Sequence, residues 1–205
     1  MSNFSDEQLA SRAQRGCVAS FEELVRRFQL PLLNFLRQRG AGADAEDLLQ
    51  ETFLRAYANL HRYRPLHRAA AWLFTIARRL SINHYHRVAA TLATQASGET
   101  ALETLAAVDP APDEMVAAAE ERKYLWQLAA SLLSEEEMTA LWLYYVEELS
   151  AREVGVVLDR SWLATKSLLS RARKKLKPRL ARFHVQSQRR PADNELTTTE
   201  PARSR

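Results

Sequence analysis

Three helix starts crowd between Ser134 and Ser161, and their spacing leaves few folds open. Ser134-x-x-Glu137 and Ser150-x-x-Glu153 are capping boxes, in which the serine hydroxyl takes an N–H of the new helix and the glutamate reaches back to the serine N–H. Ser161 is placed to cap a third helix after only Asp159-Arg160. The piece between the last two caps, "AREVGVVL", therefore reads as a short helix, followed by a tight turn and a longer basic helix. That is the pattern of a helix-turn-helix. The rest of the chain agrees with an all-α protein: it has only five Gly, few alternating apolar runs, and much Ala, Leu, Arg and Glu.

Toward the N-terminus, Ser5-Asp6-Glu7 opens a first helix. Phe21, Leu24, Val25, Phe28, Leu32, Phe35 and Leu36 keep the three-four spacing of an inward helical face, and Pro31 within it predicts a kink. Asp44 is read as the cap of a third helix reaching Leu60, and a fourth runs from about Ala69 to His86 with Trp72, Leu73, Ile76, Leu80 and Tyr85 as apolar positions. An Ala/Thr-rich stretch ending near Pro110 and Pro112 reads as a tether, and the polar end after Phe183 as disorder. The predicted organisation is two small helical domains, 5–88 and 113–182, an acidic linker over 89–112 and a tail over 183–205.

Charge falls in blocks. Thr52 to Gly98 contains no acid but holds Arg55, Arg62, Arg64, Arg68, Arg78, Arg79 and Arg87. Val88 to Glu121 has acids and no Lys or Arg, and Arg160 to Ala192 has eleven cations and no acid. Two basic blocks around an acidic spacer suit two contacts with one polyanion, although solvated helix faces carry similar runs. Cys17 is the only cysteine, so a disulfide framework is excluded and a reducing, cytoplasmic setting is expected. No apolar run approaches a membrane span and the N-terminus has no signal-peptide pattern, so membrane insertion is not expected.

Helical wheels sort the candidate residues. In "LDRSWLATKSLLSRARKK" and the Leu176 that follows it, Thr165, Leu169, Ala172 and Leu176 fall within about 40° of one line, an inward stripe too narrow for a membrane-surface helix. Lys166, Ser167, Ser170, Arg171 and Lys174 fall on the sides and back, where a DNA groove can take them. In "DAEDLLQETFLRAYANL", Leu49, Phe53, Ala56 and Leu60 share the inward face, and Asp44, Asp47, Leu48 and Glu51 gather opposite. That acid-and-leucine face suits a protein partner or an ordinary solvated surface. Nothing near it supplies a nucleophile or metal spacing, so an enzyme is not expected. "HRYRPLHRAAAWLFTIARRLSINHYHR" mixes aromatics with cations, as proteins that hold unpaired bases do. Trp72 reads as core there, and Tyr63 with the Arg62–Arg68 loop as the base contact. His84-x-His86 lacks a third ligand for a metal.

These motifs, in this order, resemble a bacterial RNA polymerase sigma factor of the extracytoplasmic-function (ECF) type. "DAEDLLQETFLRAY" is similar to the family's polymerase-binding helix, "AWLFTIARRLSINHYHR" to its promoter-melting helix, and the segment from Leu133 to Leu176 to its C-terminal helix-turn-helix. The resemblance implies a specificity subunit with no catalysis, cofactor, metal or small-molecule substrate of its own. It implies that Asp44, Asp47, Leu48 and Glu51 dock on the clamp coiled coil of the polymerase's largest subunit, with a further contact to the flap. It implies that Tyr63, Arg64, His67, Arg78, Arg79, Asn83 and Arg87 meet the −10 element of promoter DNA. Arg160, Ser161, Trp162, Lys166, Ser167, Ser170, Arg171 and Lys174 would meet the −35 element. An inhibitory anti-sigma factor is also implied. The chain departs from the family pattern at Arg79 (usually Asn), Asn83 (usually Asp), Asp159 (usually Gly) and Thr165 (usually Val). Trp162 and Leu163 are bulkier than usual, which suggests a tilted reading helix or a Trp162 contact to a sugar or thymine methyl. Two rival readings are a stand-alone helix-turn-helix regulator and a nucleic-acid enzyme.

Overall fold

The computed structural model describes residues 4–65, 68–95 and 125–187, and among them every regular element is helical. Four helices form the N-terminal unit: α1 (Asp6–Gln14), α2 (Val18–Gln38), α3 (Ala45–Ala58) and α4 (Ala69–Gln95), with 3₁₀ turns at Gly42–Asp44 and Leu60–Arg62. The C-terminal unit holds a helix over 125–132 (α5), then α6 (Glu135–Tyr145), α7 (Ala151–Leu158) and α8 (Trp162–Ser187).

Local chemistry sets most of the helix starts. Ser5, Ser134 and Ser150 each close a full capping box, with Gln8, Glu137 and Glu153 respectively. Each box satisfies two backbone N–H groups that a helix end otherwise leaves open. Asp44 behaves differently. Its side chain makes no cap bond, a 3₁₀ turn leads into α3 instead, and its carboxylate pairs with Nε2 of His84 at 3.2 Å. Gly40, at φ +79, takes the left-handed turn that lets the chain leave α2, a conformation costly for any residue with a Cβ.

Three elements depart from the sequence reading. Helix α4 does not stop near His86 but continues through Gln95 into the expected linker, because "VAATLATQ" is rich in Ala, the strongest helix former. A helix over 125–132 precedes the first capping box and packs through Trp126, whose ring lies 4.9 Å from that of Trp142. The backbone of α8 stays helical to Ser187, past Phe183. Residues 96–124 and 188–205, most of the predicted linker and tail, lie outside the described residues.

The N-terminal core is built on α2, where Leu24, Phe28, Leu32, Phe35 and Leu36 are buried, with Phe35 edge-on to Phe74 of α4 at 5.1 Å. Phe21 and Val25, predicted on the same face, are only half-buried at its margin. Burying each large apolar side chain contributes about 1.5–3 kcal/mol. Helix α2 continues through Pro31.

In the helix-turn-helix, Asp159 adopts φ 57, ψ 47 and ends α7 in the left-handed conformation, which Asp tolerates better than most residues. Thr165, fully buried, turns its hydroxyl onto the Ser161 carbonyl at 3.0 Å and so leaves no unsatisfied group inside. The two helices meet at Gly155, where a Cβ would lie 2.8 Å from the Arg160 carbonyl and 3.0 Å from Thr165 Oγ1. Gly155→Ala is therefore expected to lower stability by about 1–3 kcal/mol through overpacking against backbone. A thermal melt of the full chain checks it, and an unchanged or raised midpoint would refute this close approach.

The two units are in contact. Helix α4 of the first packs on α7 of the second, an association the division into tethered domains did not predict.

Candidate nucleic-acid interface

Helix α8 sorts its side chains as the wheel requires. Thr165, Leu168, Leu169 and Ala172 are buried against α6 and α7, while Leu176 is partly buried beside them. Ser161, Lys166, Ser167, Ser170, Arg171 and Lys174 are all exposed. From Lys166 to Arg171 they sweep an arc of about 140° opposite the buried stripe. Small hydroxyls inside that arc allow close backbone approach, and the cations are placed to meet phosphates. The Ser161 hydroxyl accepts the Ala164 N–H at 3.3 Å, fixing the start of the helix.

The first turn of α8 carries two bulky apolar side chains, Trp162 at 44% and Leu163 at 68% exposure. Lys166 Nζ lies 4.6 Å from the Trp162 ring centre, and the Arg152 guanidinium 5.8 Å from it. Such cation–π contacts contribute about 0.5–1 kcal/mol at exposed sites, so the indole holds Lys166 over the first turn of the helix. Arg160 is committed elsewhere. Its guanidinium grips Glu136 with two bonds, at 2.8 and 3.2 Å, which ties the turn to the start of α6 and raises the arginine's pKa.

On α4 the exposed residues Arg79, Asn83 and Arg87 recur every fourth position and form one ridge, with His86 beside it. Arg64 is exposed in the preceding loop, and His67 lies outside the described residues. Two expected base contacts are not on this ridge. Tyr63 is 3% exposed and stacks on Trp72 at 5.2 Å; burial, aided by the charges of Glu7 and Asp6, pushes its phenol up to about 12. It is a core residue, held there by a 3₁₀ turn whose carbonyls at Leu60, His61 and Tyr63 accept from Gln14 Nε2. Arg78 is partly buried and turned toward the second unit, with Nη1 3.5 Å from the Val157 carbonyl. Tyr85, predicted as an apolar inward position, is instead 69% exposed.

Helix α3 also differs from its wheel. Leu48 is only 5% exposed and Thr52 is fully buried, on one face with Ala45 and Ala56. The Thr52 hydroxyl bonds the Leu48 carbonyl at 2.6 Å, and that local bond lets a threonine sit in the core and sets the phase of the helix. Leu48 is therefore not part of the outward face. Leu54, at 66%, and Tyr57, at 54%, are the exposed large apolar residues of α3, and Leu54 continues the line of Asp47, Gln50 and Glu51. Glu51 is paired with Arg55 at 2.6 Å. Leu54 and Gln50 were missed by the sequence reading, although the three-four spacing from Asp47 and Glu51 to Leu54 was visible.

Two family models match this chain. Sigma-70 region 2 covers residues 24–91, which contain the α3 face and the α4 ridge, and Sigma-70, region 4 covers 125–176, which contain the helix-turn-helix. The chain belongs to the sigma-70 family. Its relatives place it among the ECF sigma factors. It is 36% identical over 135 residues to the ECF RNA polymerase sigma factor SigM of Bacillus subtilis, spanning 65% of this chain and 77% of that protein. It is 30% identical over 164 residues to RNA polymerase sigma factor YlaC of the same organism, spanning 80% and 93%. Its fold is similar to that of CnrH, solved in complex with the cytosolic domain of CnrY, at TM-score 0.62 and 24% identity over 86% of this chain and 97% of that one. The sigma factor RpoE of Bartonella quintana, solved with the anti-sigma factor NepR, is similar at TM-score 0.61 and 20% identity, covering 78% and 96%. As a sigma factor, the chain directs promoter-specific initiation of transcription. No helix among the described residues is long and apolar enough to cross a membrane.

Proposed function

We propose that this sigma factor divides its work among three surfaces. The face of α3 carrying Asp47, Gln50, Glu51 and Leu54 docks on the clamp coiled coil of core polymerase. The ridge of α4, Arg79, Asn83 and Arg87, with Arg64, meets the −10 element as it opens. The exposed arc of α8 reads the −35 duplex in the major groove. What supports the reading is the segregation of α8, where Lys166, Ser167, Ser170, Arg171 and Lys174 are exposed opposite the packed stripe of Thr165, Leu169 and Ala172. The domain limits near residues 95 and 125 belong to this proposal, as does action in the cytoplasm without chemistry of the factor's own, the polymerase supplying catalysis. An anti-sigma partner is part of it too, supported by the NepR complex of the RpoE neighbour.

The test separates the surfaces. Lys166→Ala and Arg171→Ala are each expected to weaken binding to a −35 duplex and to reduce the salt slope by about one, as the loss of one phosphate contact does. Both variants should still co-purify with core polymerase. Equal loss of duplex and polymerase binding would overturn the division.

A further inference from the structure

Between Lys166 and Lys174 every exposed residue of α8 is a serine or a cation. The first turn of the helix breaks that rule with Leu163, 68% exposed. With Thr165 at zero, Leu163 falls at about 160° on the wheel, between Ser170 at about 140° and Lys174 at about 180°. It therefore stands in the middle of the exposed arc. Trp162 falls at about 60°, on the side of α7. There Lys166 Nζ and the Arg152 guanidinium lie over its ring, at 4.6 and 5.8 Å. Arg152 is exposed on the first turn of α7. The carboxylate beside it, Glu153, is bonded into the Ser150 cap, and Glu136 is held by Arg160. No ion pair engages Arg152 or Lys166 among the described residues.

A leucine at the centre of a cationic arc fits a partner that is anionic at its edges and apolar between them. The major groove of DNA has that form: phosphates line both edges, and the methyl group on its floor is that of thymine. We propose that Leu163 sets the sequence preference of α8 by packing on a thymine methyl of the −35 element, with Arg152 anchoring the neighbouring phosphate. The inference rests on the −35 reading of α8 and adds to it a base and two residues.

In a helix-turn-helix, the N-terminal residues of the second helix meet base edges and the first helix crosses the backbone. Leu163 follows directly on Trp162, the first residue of α8, and Arg152 follows on Ala151, the first of α7. Each stands where that geometry puts its contact. Trp162 lies between them, and its ring orients Arg152 and Lys166 instead of reading a base. Ser167 and Ser170 are short, so they let the helix approach closely enough for the leucine to reach the groove floor. Covering one methyl is worth about fourfold in affinity, or about 0.8 kcal/mol at 1.4 kcal/mol per tenfold.

Holoenzyme assembled from core polymerase and the full chain tests this on a duplex carrying a −35 element mapped by run-off transcription. The duplex is made with thymine and then, one position at a time, with deoxyuridine, which removes the methyl and keeps the pairing. Wild-type holoenzyme should lose about fourfold in competition binding at one of these thymines. Leu163→Ala should bind both duplexes alike at that position, and Leu163→Met should keep the preference. Arg152→Ala should weaken all duplexes equally and lower the salt slope by about one, with the methyl preference intact. Leu163 and Arg152 are both exposed, so none of these changes opens the core.

A duplex that the wild type does not hold through its −35 element would overturn the −35 reading, and this inference with it. Binding indifferent to every thymine methyl, or a preference that survives Leu163→Ala, would overturn this inference alone. Loss of polymerase binding in Leu163→Ala would make the leucine a protein contact and overturn it as well.

Discussion

Asp47→Arg combined with Glu51→Arg is expected to abolish co-purification with core RNA polymerase from a chain that remains folded. Both carboxylates lie on the outward side of α3, in line with the exposed Leu54, and neither supports the core. Reversing two charges on one face turns attraction into repulsion, and like charges set against each other across an interface cost several kcal/mol. With about 1.4 kcal/mol for each tenfold, affinity should fall by a hundredfold or more. The chain itself loses little. The Glu51–Arg55 pair is an exposed helical pair of the kind that contributes about 0.3–0.5 kcal/mol, and Asp47 gives up a helix-dipole interaction of about 0.3–1 kcal/mol. A pull-down beside a thermal melt checks both halves. Retained co-purification would remove α3 from the polymerase contact.

Leu48→Ala should act through stability alone. Leu48 lies on the buried face of α3 with Ala45, Thr52 and Ala56, at 5% exposure, and truncating a buried leucine costs about 2–5 kcal/mol. For a unit of this size each kcal/mol lowers the melting midpoint by about 4–8 °C. The expected result is a midpoint depressed by ten degrees or more, with polymerase binding recovered on cooling. A wild-type melt with lost binding would return Leu48 to the surface. The adjacent residues 47 and 48 thus separate docking from folding.

What the sequence made legible was local. Capping boxes at Ser5, Ser134 and Ser150 carry both partners within four residues, so pattern and structure coincide. The Thr165 stripe was readable because the leucines and alanine that continue it are unambiguous. On α3 the wheel sets Leu48 among the outward acids, whereas Leu48 shares a buried face with Thr52, whose hydroxyl is satisfied within its own helix and whose methyl is free to pack. Tyr63 was misplaced because its neighbours Trp72 and Gln14 come from other elements. Arg39 carried no signal at all. Its partners in α6 lie 96 and 100 residues away, and nothing in "FLRQRG" marks one arginine for burial. Interfaces between units are written in distant pairs, which a single sequence does not display.

Run-off transcription with purified core polymerase tests the central claim most directly. Templates drawn from the source genome should yield discrete transcripts only when this sigma factor is added. Each start should lie downstream of paired −10 and −35 elements, and the products should vanish with the Asp47→Arg, Glu51→Arg variant. No transcript above core polymerase alone, or transcripts indifferent to that variant, would contradict the account.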